Sequence, residues 1–244
     1  MAKLTPADSC FTCPKADEFD WCQHSLNGLA VFDNNKSTKA YPRKEAVFHE
    51  GDPCNGLYCV QSGEIAIGKS DRDGNMVILR IADRHSTLGL PCFFAEREHT
   101  TTAIALTPSR VCFVPRPAVE TLIARNPKLA YSFFKHVVAE LDEMEHLYLA
   151  NATTTVRQRL IHLLDSVKDR YATGAKPNSG VVLKLPLSRC ELAAMVATRP
   201  ETISRTIHQL RSEGIADFRE KVVMIASCSV KRENGSLSAR NRIS

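Results

Sequence analysis

Between residues 45 and 115 apolar and polar positions alternate in short runs, EAVFHEGD, GLYCVQSGEIAIGKS, DGNMVILRIAD and TTAIALTPSRVCFVP. A period of two places successive side chains on opposite faces of a strand. Gly and Asp turns every 8 to 12 residues join such strands into a small antiparallel β barrel or jelly roll. Asp73-Gly74 supplies a hairpin turn between two of them.

From about Pro117 the period lengthens. Phe134, Val137, Leu141, Met144 and Tyr148 recur at spacings of 3 and 4, with Lys135, Glu140, Asp142, Glu143 and Glu145 on other faces. That is a heptad seam, which predicts a long helix packed on the barrel or paired with its own copy in a homodimer. With apolar Met144 at the centre of the seam, the dimer is expected to persist without help from a cofactor. A second helix is predicted around Val156 to Tyr171, then a loop, TGAKPNSG, and a short strand, VVLKL.

The segment LSRCELAAMVATRPETISRTIHQLRSEGI carries two short helices. Ser188 and Glu191 form a capping box for the first, which ends near Ala197. Thr198, Arg199 and Pro200 turn the chain, and Pro200 suits the first turn of the next helix. Apolar Ile203, Ile207 and Leu210 line one face of that helix before Gly214 stops it. The pair reads as a helix-turn-helix, and FREKVVMIAS after it as a wing. Glu201, Ser204 and Arg205 share the opposite face at i, i+3 and i+4. Arg is bidentate to guanine, Glu accepts from cytosine, and Ser serves thymine or adenine. The alternative for Glu201 and Arg205 is a surface ion pair.

Charge supports a polyanion partner for this half. Of the net +5, residues 1–150 contribute −3 and residues 151–244 contribute +8, and Lys and Arg neutralise phosphates in most non-specific nucleic-acid binding. The 244 residues, 43% hydrophobic and 24% charged, are ordinary for a globular protein of one or two domains. The first ten residues hold no signal-peptide core and no long uncharged apolar run occurs, so a cytoplasmic protein with no membrane partner is expected. In a reducing compartment nine cysteines argue for metal ligation, redox chemistry or burial rather than disulfides. Three of the nine, Cys10, Cys13 and Cys22, fall within CFTCPKADEFDWC. No nucleophile elbow, P-loop, dinucleotide fingerprint or paired-histidine metal motif is present, so an enzyme is not expected.

N-terminal cysteines, a β roll, a seam helix and a C-terminal winged helix-turn-helix, in this order, resemble the cyclic-AMP receptor protein/FNR (CRP/FNR) family of bacterial transcription regulators over about residues 10–228. PETISR is similar to the recognition helix of the FNR branch. The resemblance implies an α+β chain with these parts: a cysteine-rich segment at 1–28, a cyclic-nucleotide-binding-like β roll at 29–116, a dimerisation helix region at 117–152, a winged helix-turn-helix at 153–230 and a polar tail at 231–244. Double-stranded DNA, RNA polymerase and a second copy of the chain are the implied partners, with an inverted repeat of TTGAT-like half-sites as the target. In that branch three N-terminal cysteines and one on the last roll strand hold an oxygen-labile four-iron four-sulfur (4Fe-4S) cluster. Cys10, Cys13, Cys22 and, in SRVCFVP, Cys112 match them, although eight residues rather than fewer separate Cys13 from Cys22. The resemblance further implies an oxygen or nitric-oxide signal that controls the dimer. Cyclic AMP is not expected, because Leu90 follows Gly89 where family members that bind it carry Glu, and His99-Thr100 replaces their Arg-Ser. Structural zinc, redox thiols and heme on His85 or His99 are the competing sensor chemistries. Cys54, Cys59 and Cys92 are read as small buried hydrophobes, and Cys190 and Cys228 as bystanders.

Overall fold

The computed structural model describes residues 34–84, 86–176, 180–219 and 221–226. Cys10, Cys13, Cys22, His85, Cys228 and the segments 1–28 and 231–244 therefore lie outside the described residues. The chain divides into two compact units, 1–148 and 149–244.

The first unit is a roll of two four-stranded antiparallel sheets. Strands β1 (Ser37–Tyr41), β8 (Ser109–Pro115), β3 (Gly56–Ser62) and β6 (Thr87–Leu88) form one, in that order. The other runs β2 (Ala46–Phe48), β7 (Thr102–Ala105), β4 (Ile65–Ser70) and β5 (Met76–Ala82). The alternating pattern builds both. Val60, Ile65, Ile67, Val111 and Phe48 meet in the core of the roll, and removing such a side chain from water is worth about 1.5–3 kcal/mol each. The β4–β5 hairpin turns where expected. Gly74 takes φ 82° there, and Asp71 accepts from the backbone N–H of Asp73 and Asn75 at 2.9 and 2.8 Å.

Strands β3 and β8 bury both faces. Leu57, Cys59, Cys112 and Val114 join a second core, roofed by α1 (Leu90–Phe94), α2 (Arg116–Arg125) and the first turns of α3 (Pro127–Thr153) through Phe93, Val119, Leu122, Leu129 and Phe133. Cys54 and Cys92 complete this cluster, so the three central cysteines read as buried hydrophobes are buried.

Helix α3 differs from the expected seam at two positions. Phe134, Leu141 and Tyr148 stand 62, 59 and 78% exposed, whereas Val137 packs against the second core and Met144 lines a cavity of the roll. The exposed row is Tyr131, Phe134, Val138, Leu141, Glu145 and Tyr148, again at spacings of 3 and 4. A helix that serves its own roll on one face and is apolar on a second supports two overlapping heptads. The apolar pattern alone selects the row with Met144 over the row interrupted by Glu145.

The second unit contains α4 (Val156–Ser166), α5 (Lys168–Tyr171), α6 (Arg189–Met195), α7 (Pro200–Ser212) and a sheet ordered β11 (Ala216–Arg219), β12 (Val222–Ile225), β10 (Gly180–Lys184), β9 (Ala172–Lys176). The expected 173–180 loop begins as strand β9. Pairing with β10, aided by the Thr173 hydroxyl donating to the Val182 carbonyl at 3.3 Å, overrides the weak strand propensity of Gly174. No helix among the described residues is long and apolar enough to cross a membrane.

Candidate functional site

Helix α7 is placed by its neighbours on three sides. At its start, the capping box of α6 is complete: Ser188 Oγ accepts from Glu191 N–H at 3.3 Å and Glu191 Oε2 accepts from Ser188 N–H at 2.6 Å. The turn that follows puts Ala197 in the left-handed region at φ 48°, with Thr198 N–H donating to the Ala193 carbonyl at 2.9 Å. Arg199 is the N-cap residue of α7 and Pro200 its first helical residue, where a missing N–H costs nothing. Ile203, Thr206, Ile207 and Leu210 are buried against α6 and β11.

Long-range polar contacts brace the rest. Arg157 of α4 donates to Glu213 Oε2 through Nε and Nη2 at 3.2 and 2.8 Å, and Gln209 Nε2 donates to Glu213 Oε1 at 2.8 Å. These bonds hold the Glu213 carboxyl below its usual range. Arg159 Nε donates to the Val196 carbonyl at 2.9 Å and Nη1 to that of Thr154 at 2.7 Å, clamping the turn to α4. In the wing, hydrogen bonds from Arg219 and then Arg211 lower the Asp217 carboxyl. Arg211 also reaches the Phe218 carbonyl at 3.1 Å. Sequence spacing offers no signal for Arg157, Arg159 or Asp217, because their partners are not helical neighbours.

The outward face carries Glu201, Ser204 and Arg205 together. Glu201 and Arg205 are exposed, and neither makes a hydrogen bond or ion pair among the described residues, so the surface ion pair between them is not formed. Ser204 donates to the Pro200 carbonyl at 2.9 Å, which leaves its oxygen lone pairs open. A carboxylate, a hydroxyl acceptor and a free guanidinium on one uncovered helix face form a surface able to read base edges. Arg199 and Lys221 are exposed as well, while Thr206 turns inward.

In the first unit, Cys112 is 2% exposed on β8. It lies opposite Thr38 of β1 on one side and Cys59 of β3 on the other, with Thr38 Oγ1 3.3 Å from its sulfur. Among the described residues no three His, Cys, Asp or Glu side chains gather as a metal site. Cys190 is exposed on α6.

The roll and helix α3 line a partly open cavity of about 170 Å³. His99 and Thr100, the pair that the resemblance sets in the place of an Arg-Ser, both line it, as do Arg80 and Glu140, paired with each other at 2.7 Å.

Two family models match the chain: a cyclic nucleotide-binding domain over residues 38–126 and a Crp-like helix-turn-helix domain over 158–228. The anaerobic regulatory protein of Bacillus subtilis (strain 168) is 27% identical over 217 residues, covering 84% of this chain and 89% of its own. A probable transcriptional activator of Rhizobium leguminosarum bv. viciae is 30% identical over 169 residues, or 67% of this chain and 68% of its own. Among solved structures, the c-di-GMP responsive global regulator CLP of Xanthomonas campestris superposes with TM-score 0.73 at 21% identity, covering 83% of this chain and 99% of that one. FixK2 of Bradyrhizobium japonicum gives 0.66 at 22%, covering 78% and 92%. Matches to both halves, in the order that the two units occupy, identify this chain as a member of the CRP/FNR family of DNA-binding transcription regulators.

Proposed function

We propose that this regulator is a cytoplasmic, oxygen-responsive homodimer of the FNR type, with Cys10, Cys13, Cys22 and Cys112 as ligands of a four-iron four-sulfur cluster. One observation carries the reading. The strand that follows the three-cysteine segment, β1, pairs with β8 so that Thr38 faces Cys112 across 3.3 Å. Fifteen residues lie between Cys22 and Thr38, an extended reach of about 50 Å, ample to fold back along β1. The donor set fits, since Cys₄ thiolate ligation is what such clusters take. The apolar surround of Cys112, with Leu57, Val114 and Phe133 in the same core, fits a centre shielded from water.

When bound, the cluster supplies an oxygen-labile centre. The protein's own part is to relay the state of the Cys112 sulfur. Strand β8 packs beneath α2 and the start of α3 through Val119, Leu122 and Phe133, so a shift at Cys112 is felt by the helix whose exposed row faces a second copy. In a two-fold dimer the recognition helices enter successive major grooves, and Glu201, Ser204 and Arg205 read each TTGAT-like half-site. RNA polymerase is the partner through which binding acts on transcription. The name of the Bacillus subtilis relative, an anaerobic regulatory protein, supports oxygen as the signal, with nitric oxide a second ligand to test. Cyclic AMP is not the effector: the Arg80 cation of the roll cavity is taken by Glu140, and His99 stands in place of a phosphate anchor.

Protein purified without oxygen should be brown, with about four irons and four sulfides per chain, and should bind the inverted repeat until exposed to air. Colourless protein with one zinc per chain would instead make the site structural.

A further inference from the structure

A helix ends on carbonyls that no further helical N–H can reach, and at the end of α3 each finds a side-chain donor. Helix α3 runs to Thr153, and its residues from Leu149 onward belong to the second unit. Thr153 Oγ1 donates to the Leu149 carbonyl at 2.8 Å, and Thr154 gives its N–H and its hydroxyl to that of Ala150 at 3.0 and 2.6 Å. The next acceptors fall to Arg159, in the first turn of α4. Its Nη1 donates to the Thr154 carbonyl at 2.7 Å and lies 3.5 Å from that of Asn151.

The other edge of the same guanidinium points into the helix-turn-helix. Nε donates at 2.9 Å to the carbonyl of Val196, the C-cap residue of α6, immediately before the left-handed Ala197 that turns the chain toward α7. One cation thus serves the C-terminal carbonyls of two helices, where positive charge is favoured. The guanidinium is planar and its donors diverge at fixed angles, so the two sets of acceptors cannot shift against each other without breaking a charge-assisted bond. Arg157 ties the same α4 to Glu213, at the far end of α7, at 2.8 Å. Because Nε and Nη1 of half-buried Arg159 are spent on main-chain acceptors, its role is to position and not to contact DNA.

We propose that Arg159 is a positioning residue for DNA binding: it locks the last turn of α3 to the turn before α7 and so fixes the spacing at which the two recognition helices of a dimer meet DNA. The proposal rests on the homodimer reading and not on the cluster. Helix α3 carries the exposed apolar row. A rigid joint at its end converts one pairing of helices into one distance between recognition helices, whereas a loose joint lets each helix-turn-helix seek its half-site independently.

Titration of the full-length protein without oxygen tests this on three duplexes. The first is an inverted repeat of half-sites selected from random DNA by the unmutated protein, which frees the result from the TTGAT reading. The second adds one base pair between the half-sites, and the third holds a single half-site. The unmutated protein should prefer the selected spacing by roughly tenfold or more, the scale of one lost specific contact. In Arg159→Ala that preference should shrink to about twofold or less, at the expense of the selected repeat, while half-site affinity and the salt slope stay unchanged because no DNA contact is removed. Arg159→Lys, which keeps the cation but not the fork, should fall between the two, and it carries the test through the same ratio if Arg159→Ala does not fold. An unchanged spacing preference in both variants overturns the proposal. So does half-site affinity that falls in step with that of the repeat in a variant that circular dichroism shows to be folded. A salt slope reduced by about one would make Arg159 a phosphate contact and overturn it as well. Selection that returns isolated half-sites overturns it differently, through the dimer on which it rests.

Discussion

The Arg80 guanidinium and the Glu140 carboxylate meet at 2.7 Å, tying strand β5 to helix α3. Burial raises the Glu140 pKa, and Arg80 first, then His136, pull it back down. The pair is therefore sustained by its partners against a desolvation cost. It is also a charged contact through which the roll holds the helix that carries the exposed apolar row.

Removing one partner should hurt more than removing both. Arg80→Ala leaves a desolvated carboxylate and should destabilise the first unit by about 1–3 kcal/mol, whereas the double change Arg80→Met with Glu140→Leu should fall within about 1 kcal/mol of the unmutated protein. Urea melts of the single and double variants measure the difference. Equal losses in both would mean that packing, not charge, holds β5 to α3.

If the proposed cluster is held as argued, Cys112→Ser should lower anaerobic iron and sulfide to background. Cys22→Ser should do the same, since each removes a thiolate, while Cys190→Ser on the surface of α6 should leave both unchanged. Cys59, opposite Cys112 on β3, is the informative control. Iron retained in Cys112→Ser and lost in Cys59→Ser would move the fourth ligand across the ladder.

In the helix-turn-helix, Ala197 holds φ 48°, where an L side chain is strained and glycine is not. Ala197→Gly should stabilise the second unit by about 0.5–1 kcal/mol without changing sequence preference. Thermal melts combined with a DNA titration check both halves of that statement, and a lower melting temperature would refute it.

Base reading has a separate signature. Arg205→Ala should weaken binding to a TTGAT-like site by about 1–3 kcal/mol and relax preference at its guanine. Lys221→Ala, off that face, should weaken all sequences alike and reduce the salt slope by about one. If Arg205→Ala lost equal affinity for specific and random DNA, its guanidinium would be a phosphate contact.

The architecture was legible because its signals are local. Alternation marks the roll strands, Ser188 with Glu191 marks the start of α6, and Pro200 the start of α7, each within a few residues of the structure it predicts. What sequence did not yield depends on partners far along the chain. Arg157 finds Glu213 fifty-six residues later, and Gly174 enters a strand because β10 lies beside it. His99 is marked in sequence only as a replacement for an Arg and a candidate heme ligand; that its ring nitrogens are buried without a partner among the described residues depends on Phe48 and other distant neighbours. Helix α3 is the instructive case, since two heptads fit it and only the roll decides which one faces outward.

That choice bears on the switch. With Met144 turned into the roll cavity, the position of the exposed row between Leu141 and Tyr148 is Glu145. If the two copies of this helix pair in parallel, each position of the row packs beside its own copy, which would bring two Glu145 carboxylates together amid apolar neighbours. The expectation of a persistent dimer built on Met144 therefore reverses: the apolar row favours association and Glu145 opposes it, leaving a dimer near balance. Cluster-free protein should dissociate at micromolar concentration. Glu145→Leu should restore a dimer in air, tightening association by about 1–3 kcal/mol, or roughly 5- to 150-fold. Met144→Leu should change dimerisation little, because that side chain faces the roll. Sedimentation of the unmutated protein and both variants, with and without oxygen, decides between the rows. A cluster-free protein that stays dimeric, or a Met144 variant that shifts the equilibrium more than Glu145→Leu, would return the seam to Met144.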